Sequence, residues 1–442
     1  MSRFFHIVLF ALLAAHARAI SFTNDVAPIL VQKCLICHGA EKSKGGYRLD
    51  TFEVLLKAGS SKEGPLSPGK SENSQFYRLL VTTDEDDRMP QKNEPLSKAE
   101  IQRIREWIEG GSKFDGTDAT AALVSLIPPI HQPEPPSAYP APVPVTALAF
   151  APDGSEISVS GYHEITVWSP EDGRLLRRVK NVAQSTLSLA YQPKGNLLAA
   201  ASGTPGKLGE IKLFDAISGQ LVRVLVTSAD VMLAIAFNPD GTKLATGGSD
   251  NKIHIFEVAS GKLERTIDQH SDWVTGLAFS HNGKWLASAS RDKSARVCDP
   301  TTGEVEQSSL GHGDFVFSVG FTVDDKQVWS CGRDRKIQRW RPTEEKKEGE
   351  ISGFEGDILR LLMTCNSVFS CSTDGLVREH SLGKEPELLS VFGKEGVAVY
   401  AIALDEAHFR LAAGAFDGTV RIWNTKSGRE LLKFMAAPGF RN

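Results

Sequence analysis

The stretch "GHGDFVFSVGFTVDDKQVWSCGRDRKIQRW", Gly311 to Trp340, decides the fold of most of this chain. Its composition is typical of β-strands, and related units precede and follow it. Aligning the units on one strand places seven residues in register: Trp168, Phe214, Phe256, Cys298, Trp340, Glu379 and Trp423. The steps between them are 46, 42, 42, 42, 39 and 44 residues. A strand-rich repeat with a period near 42 residues predicts propeller blades.

Three sets of turn residues divide each unit. The first hairpin turn appears as Pro152-Asp153-Gly154, Pro193-Lys194-Gly195, Pro239-Asp240-Gly241 and His281-Asn282-Gly283. The second set is Asp250, Asp292, Asp334, Asp374 and Asp417, and the third is Gly173, Gly219, Gly261, Gly303 and Gly428. Three turns imply four strands per blade. The sequence therefore predicts an all-β propeller of seven blades over residues 144–442.

From Val145 to about Met435, two thirds of the chain, the repeats resemble the WD40 family. His312, Ser330, Asp334 and Trp340 stand where that family has a hydrogen-bonded set, which implies a structural role within one blade. Propellers offer a broad rigid face for binding a protein partner, and the aromatic residues that begin two repeats, Trp273 and Phe315, are candidate anchors or blade-packing residues.

The sequence leaves open how the ring of blades closes. WD40 propellers commonly complete their last blade with a strand from the N-terminal side. Here "ELLKFM", Glu430 to Met435, already reads as a fourth strand of the last blade. A strand exchanged from "AALVSLI", Ala121 to Ile127, is the alternative.

Residues 20–117 have helical periodicity, which predicts a small all-α domain. Ser97 to Glu100 form a capping-box signature for a helix of about thirteen residues that ends at Gly110-Gly111. A shorter helix is expected from near Asn24 to Lys33, with Cys34 at its end. Residues 128–144 contain eight of the 22 prolines, so we assign residues 118–143 to a proline-rich linker between the two domains.

The motif "KCLICHG", Lys33 to Gly39, carries the chemistry of the N-terminal domain. The chain's six Cys and eleven His give about 0.002 expected occurrences of Cys-x-x-Cys-His, so chance is a poor explanation. A closed zinc site needs about four N or S ligands, and between Ala19 and His131 the only candidates besides Cys34 and Cys37 are His38 and carboxylates. A second Cys pair is absent. A redox dithiol normally follows a strand rather than a helix. Two thiols followed at once by an imidazole suit haem c attachment through Cys34 and Cys37, with His38 as an iron ligand.

Met89 is the expected second iron ligand. It is the only methionine between Ala19 and Met232, and no histidine lies between His38 and His131. The alternative is that Met89 only packs in the core. A thioether on the second face of the iron raises the potential and disfavours oxygen or peroxide chemistry.

This region resembles the planctomycete-type cytochrome c domain, a helical domain at the N-termini of secreted bacterial proteins. The matching residues are Phe22, Asp25, Val26, Pro28, Ile29, Leu30, the Cys34 to Gly39 motif, Gly46 to Asp50, Pro68-Gly69, Ser74, Met89-Pro90, Leu96-Ser97 and Trp107-Ile108. The resemblance implies one covalent haem c, thioether bonds at Cys34 and Cys37, axial ligation by His38 and Met89, and attachment outside the cytoplasmic membrane. Gln91 departs from the pattern, which often has a second proline there.

The first nineteen residues are typical of a signal peptide. Arg3 precedes an apolar run from Phe4 to about Ala15, and Ala17-Arg18-Ala19 is a small-x-small cleavage site. We expect a periplasmic or secreted protein without a membrane span after cleavage; an uncleaved anchor is the alternative. A net charge of −4 excludes nucleic acid as a general partner.

Other charged residues and cysteines carry weaker signals. The acidic run Asp84 to Asp87 precedes Met89 and predicts either a solvated loop or a surface that steers a basic redox partner. Arg48 and Arg88 are candidates for a haem propionate or for the surface. We expect the remaining cysteines to be small buried apolar residues, with one disulfide as the alternative: Cys298, Cys331, Cys365 and Cys371.

These features favour an exported electron-transfer haem protein that works with a redox partner protein, while its propeller binds a protein partner. A haem-dependent oxidoreductase or peroxidase, with substrate held by the propeller, is the alternative. A redox-sensing scaffold is a third reading. Catalysis by the chain itself stays an open question at this point.

Overall fold

The computed structural model describes residues 20–39, 43–91, 95–127, 131–228, 230–309 and 311–440. The predicted signal peptide, residues 1–19, lies outside the described residues. The chain forms two compact units, residues 1–128 and 129–442. Within the described ranges, no helix is both long enough and apolar enough to cross a membrane.

Short helices make up the regular secondary structure described in the first unit. The α-helices are α1 Ala27–Lys33, α2 Leu35–His38, α3 Phe52–Leu55, α4 Gln75–Val81, α5 Lys98–Glu109 and α6 Leu123–Leu126. A π-helical segment spans Phe22–Val26, and 3-10 turns span Lys44–Gly46 and Ser71–Asn73. Their apolar faces form one core, in which the ring of Phe22 lies 4.7 Å from Phe52 and 5.3 Å from Trp107.

The predicted capping box of α5 is confirmed. The Ser97 hydroxyl accepts from the backbone N–H of Glu100 at 3.3 Å, and the Glu100 carboxylate accepts from the Ser97 N–H at 2.7 Å. Both bonds satisfy donors that a helix start leaves free. The helix buries Ile104, Trp107 and Ile108 and supports the core behind α1.

The described part of the second unit contains 28 strands in seven four-stranded antiparallel sheets. The first four blades contain β1 Leu148–Phe150, β2 Ile157–Ser160, β3 Ile165–Trp168, β4 Leu175–Val179, β5 Ser185–Tyr191, β6 Leu197–Thr204, β7 Leu208–Asp215, β8 Leu221–Ser228, β9 Met232–Phe237, β10 Lys243–Gly248, β11 Ile253–Glu257, β12 Leu263–Ile267, β13 Val274–Phe279, β14 Leu286–Ser290, β15 Ala295–Cys298 and β16 Val305–Ser309. The other three contain β17 Val316–Phe321, β18 Val328–Gly332, β19 Ile337–Arg341, β20 Glu344–Ile351, β21 Ile358–Met363, β22 Ser367–Ser372, β23 Leu376–Ser381, β24 Leu388–Gly393, β25 Val399–Asp405, β26 Arg410–Ala415, β27 Thr419–Asn424 and β28 Glu430–Met435.

The predicted seven-bladed propeller is confirmed, with the strands of each blade paired in chain order. The seven residues aligned from the sequence all lie on the third strand of their blades. Second strands such as β14 and β18 are buried along their whole length because neighbouring blades cover both faces. Fourth strands such as β28 are largely exposed at the outer edge.

The ring closes without an exchanged strand. β28 pairs with β27 inside the last blade, as one sequence alternative had it, and β1 packs beside β25. The alternative is wrong because residues 123–126 form helix α6 of the first unit. Part of the proline-rich segment instead joins the last blade to the first. The Tyr139 N–H donates to the carbonyl of Pro438, just after the last blade, at 2.9 Å. The Tyr139 hydroxyl donates to buried Glu164 of the first blade at 2.6 Å.

The expectation for the scattered cysteines is confirmed for Cys298, Cys331 and Cys371, which are buried. It is wrong for Cys365, which is exposed because it lies in the turn between β21 and β22 rather than in a strand. All six cysteines are free thiols in this structure.

The hydrogen-bonded set within the fifth blade is confirmed. His312 Nδ1 donates to Asp334 at 2.9 Å, His312 Nε2 lies 2.8 Å from the Ser330 hydroxyl, and Trp340 Nε1 donates to that hydroxyl at 3.4 Å. Burial alone would raise the pKa of Asp334, but the hydrogen bond and charge of His312 together with the N–H groups of Gly313 and Lys336 outweigh it and hold the pKa below its usual range.

Replacing Asp334 by alanine should therefore lower the free energy of unfolding by about 2–3 kcal/mol at pH 7, because His312 loses a charged partner. The native pKa lies below the unfolded one, so this contribution is present above about pH 4 and fades as the pH falls through the native pKa. Urea unfolding of wild type and Asp334→Ala between pH 7 and pH 3 measures both effects.

The matched control is Asp268→Ala, since that side chain is 68% exposed and its Lys252 partner lies 3.3 Å away at the surface. We expect a change below about 0.5 kcal/mol for it. Equal losses in the two variants, or a pH-independent loss in Asp334→Ala, would contradict the role given to this carboxylate.

Candidate haem site

One cleft of the first unit brings together the four residues that the sequence singled out: Cys34, Cys37, His38 and Met89. Its walls also include Lys33, Lys44, Leu80, Pro90 and Gln91. Met89 is 51 residues beyond His38 in the chain, so only the tertiary fold places both on one cleft.

Local helix geometry presents the Cys-x-x-Cys-His motif. The Ser21 hydroxyl caps the preceding helical segment by accepting from the Asn24 N–H at 3.1 Å, and α1 then runs to Lys33. The N–H groups of Cys37 and His38 donate to the Cys34 carbonyl at 3.1 and 3.0 Å. Residues three and four apart on a helical turn share a face, so all three side chains lie on one side of the turn.

A backbone hydrogen bond fixes the orientation of the His38 ring. Nδ1 lies 3.1 Å from the carbonyl oxygen of Tyr47, which can only accept, so Nδ1 donates and Nε2 is the ring nitrogen left for a metal. Metal-binding imidazoles are usually oriented by such a bond from the other ring nitrogen. Tyr47 is itself held, since its hydroxyl donates to the Leu55 carbonyl at 2.9 Å and its ring meets His38 edge-on at 5.6 Å.

Both motif thiols are free and half-buried. Burial raises the pKa of Cys34 to about 12, with smaller contributions from Cys37 and Glu100. Cys34 is therefore a neutral thiol at pH 7. Since the thiolate is the species that attacks in disulfide exchange, Cys34 is a poor attacking thiol in this environment.

Met89 is half-buried and packs against the core of the first unit. Its backbone N–H donates to the Leu79 carbonyl at 2.8 Å, which ties the end of its loop to α4. The side-chain amide of Gln91 donates to the Asp86 carbonyl at 2.7 Å and closes the same loop. Gln91, the departure noted in the sequence, thus has a structural role, and the acidic run from Asp84 to Asp87 is exposed.

The cationic groups at the cleft are not those that the sequence suggested. The guanidinium of Arg48 donates to both carboxylate oxygens of Asp50, from Nε at 2.9 Å and from Nη2 at 2.8 Å, so it is already paired. Lys33 and Lys44 line the cleft instead. Lys33 could have been noticed as the neighbour of Cys34, whereas nothing in the sequence singles out Lys44 or the carbonyl of Tyr47.

The donor set fits haem c. Two thiols lie on one turn with an imidazole whose Nε2 is available, and a thioether lines the same cleft. The space between these groups is only about 30 Å³, close to the share of one water molecule in liquid water.

Comparisons with known proteins agree with this reading of the two units. The family model described as Planctomycete cytochrome C matches residues 34–93, which span the motif and Met89. The model described as WD domain, G-beta repeat matches residues 219–257, 261–299 and 386–424 in the propeller. A search of curated proteins gave no match. The chain thus combines a segment similar to planctomycete cytochrome c, a family that indicates haem binding, with WD40 repeats, a family that indicates protein interaction.

Proposed function

We propose that this protein is an exported electron-transfer haem protein whose propeller binds a protein partner. The proposal assigns residues 20–117 to an all-α cytochrome c domain, residues 118–143 to a linker, and one haem c to Cys34 and Cys37 through thioether bonds. The observation that carries it is the shared cleft of Cys34, Cys37, His38 and Met89.

Each residue of the cleft has a distinct task in this proposal. His38, whose ring is held by Tyr47, would bind the haem iron, and the Met89 thioether would be its second protein ligand. Lys33 and Lys44, which line the cleft, would pair with the propionates. The haem would supply one-electron chemistry, and two protein ligands on the iron would favour electron transfer over oxygen activation.

An aromatic and arginine cluster supports the assignment of a partner face on the propeller. The guanidinium of Arg291 lies 4.3 Å from the ring centroid of Trp273 and 4.7 Å from that of Phe315, and Arg333 lies 5.6 Å from Phe315. Aromatic and arginine side chains are enriched among residues that dominate protein interfaces. Trp273 and Phe315 are half-buried, so they contribute to packing as well.

Expression in a bacterial host that matures c-type cytochromes tests the proposal. We expect covalent haem after denaturing electrophoresis, a reversible one-electron redox transition, and a periplasmic product whose N-terminus is Ile20. Absence of covalent haem in that host would contradict the haem assignment. A product with covalent haem that keeps its first nineteen residues would instead favour a retained anchor.

A further inference from the structure

The centre of the propeller contains a cavity of about 310 Å³. It is lined by the inner strands of the second to the sixth blade, β5, β9, β13, β17 and β21. The lining is mixed: the polar residues are Ser188, Thr275, His281, Ser318 and Arg360, and the apolar ones include Leu277, Phe279, Phe317, Phe321 and Met363. This volume corresponds to roughly ten water molecules, and pockets for small ligands begin at about this size.

Six inner strands have the same shift in their pairing with the second strand of the blade. In the second to the sixth blade the residue that follows the shift lines this cavity. Outside the sixth blade that residue is small: Ser188, Ala234, Gly276, Ser318 and, in the seventh blade, Ala401. In β21 the equivalent residue is Arg360, which pairs with Cys371 after the same shift. The long cationic side chain of Arg360 thus occupies a position at which the five blades just named have a small residue.

Arg360 reaches across the channel. Its Nη2 donates to the Leu187 carbonyl of β5 at 3.3 Å, on the far side of the ring, and Nη1 donates to the Leu359 carbonyl at 3.1 Å. Among the residues that the structure describes, no carboxylate forms an ion pair with it, and a guanidinium has five N–H donors. Burial lowers the pKa of Arg360, yet an arginine stays charged at neutral pH.

The protein itself does not neutralise the charge of Arg360. Two neutral carbonyls accept from its guanidinium, and the half-buried side chain keeps further N–H donors open to the channel. A bound anion would pair with these donors in place of water. Ser188 and Ser318 also line the cavity, and the Ser318 hydroxyl accepts from the Leu361 N–H at 3.1 Å.

We propose that this cavity, called the channel site, binds a small monocarboxylate with an apolar body. The carboxylate accepts two parallel N–H···O hydrogen bonds from the guanidinium of Arg360. The apolar body lies among the Leu, Phe and Met side chains of the lining. The channel site is independent of the haem assignment, because all of its residues belong to the propeller unit.

Calorimetric titration of the full-length mature protein with hexanoate tests the channel site, with hexanamide and inorganic phosphate at matched ionic strength as comparison probes. We expect hexanoate to bind and to raise the melting temperature, and hexanamide and phosphate to bind at least about tenfold more weakly. Absence of hexanoate binding up to about 10 mM would overturn the proposal, since weak specific ligands bind in the millimolar range. If hexanamide binds as tightly as hexanoate, the charge of the ligand plays no part in binding and the proposal fails. If phosphate binds as tightly as hexanoate, the apolar body plays no part and the proposal fails as well.

The variant arm compares Arg360→Met with Arg174→Met, which removes an exposed arginine between β3 and β4 of the first blade. We expect Arg174→Met to keep the wild-type affinity for hexanoate and Arg360→Met to lose it by at least about tenfold. Without ligand, Arg360→Met should melt close to wild type, because the loss of two hydrogen bonds to neutral carbonyls is offset by the removal of a partly desolvated charge. Unchanged hexanoate affinity in Arg360→Met would refute the site. If that variant does not fold, the three probes on the wild-type protein still decide the question.

Discussion

Replacing Cys34 and Cys37 together by alanine is expected to abolish covalent haem attachment. Each thioether bond requires one thiol, and both thiols of the proposed site lie on a single helical turn beside His38. The expected change is from full incorporation to background in a denaturing-gel haem assay. The single variants should each keep one thioether and therefore show reduced rather than absent covalent haem.

Cys365→Ala is the control for this experiment, since it removes an exposed thiol that belongs to the propeller unit. It should incorporate haem as the wild type does. Retention of covalent haem by the double variant would show that other groups attach it. The domain is also expected to be less stable without its haem, because a ligand that binds only the folded state adds to its stability.

Replacing Met89 by leucine is expected to open one face of the iron to external ligands. Leucine has nearly the volume of methionine, so the packing of Met89 against the core is retained while its thioether is lost. The reduced wild-type protein should resist carbon monoxide, whereas Met89→Leu should bind it readily. The midpoint potential should fall by on the order of 100 mV, because a thioether ligand favours reduced iron.

Met435→Ala serves as the control, since Met435 is a half-buried methionine on β28 of the propeller. Neither carbon monoxide binding nor the potential should change in that variant. If Met89→Leu behaves like wild type in both measurements, Met89 has only a packing role. Ready binding of carbon monoxide by the wild type itself would favour the alternative of a haem-dependent oxidoreductase or peroxidase.

Repetition made the propeller predictable from the sequence. A third-strand residue such as Trp340 recurs about every 42 residues because each blade repeats the same turns and the same buried strands. The capping box at Ser97 and Glu100 was equally readable, since its two hydrogen bonds join residues three apart. Local or periodic features of this kind leave a pattern in the order of residues.

Long-range contacts left no such pattern. The bond between His38 and the Tyr47 carbonyl uses a backbone acceptor, which any residue type provides. The exposure of Cys365 depends on where β21 ends, and strand boundaries are poorly specified by composition. The contact of Tyr139 with Pro438 joins segments about 300 residues apart and replaces the exchanged strand that one sequence alternative allowed.

The sequence by itself determined the two kinds of unit and the residues of the haem motif, because helical, strand and cysteine spacings are short-range properties. Only the tertiary structure decided that Met89 shares a cleft with His38 and that Lys33 and Lys44, not Arg48, line it. It also placed Arg360 across the channel toward Leu187, 173 residues away in the chain. The physical reason is that burial, charge pairing and cavity shape depend on chain segments that meet only after folding.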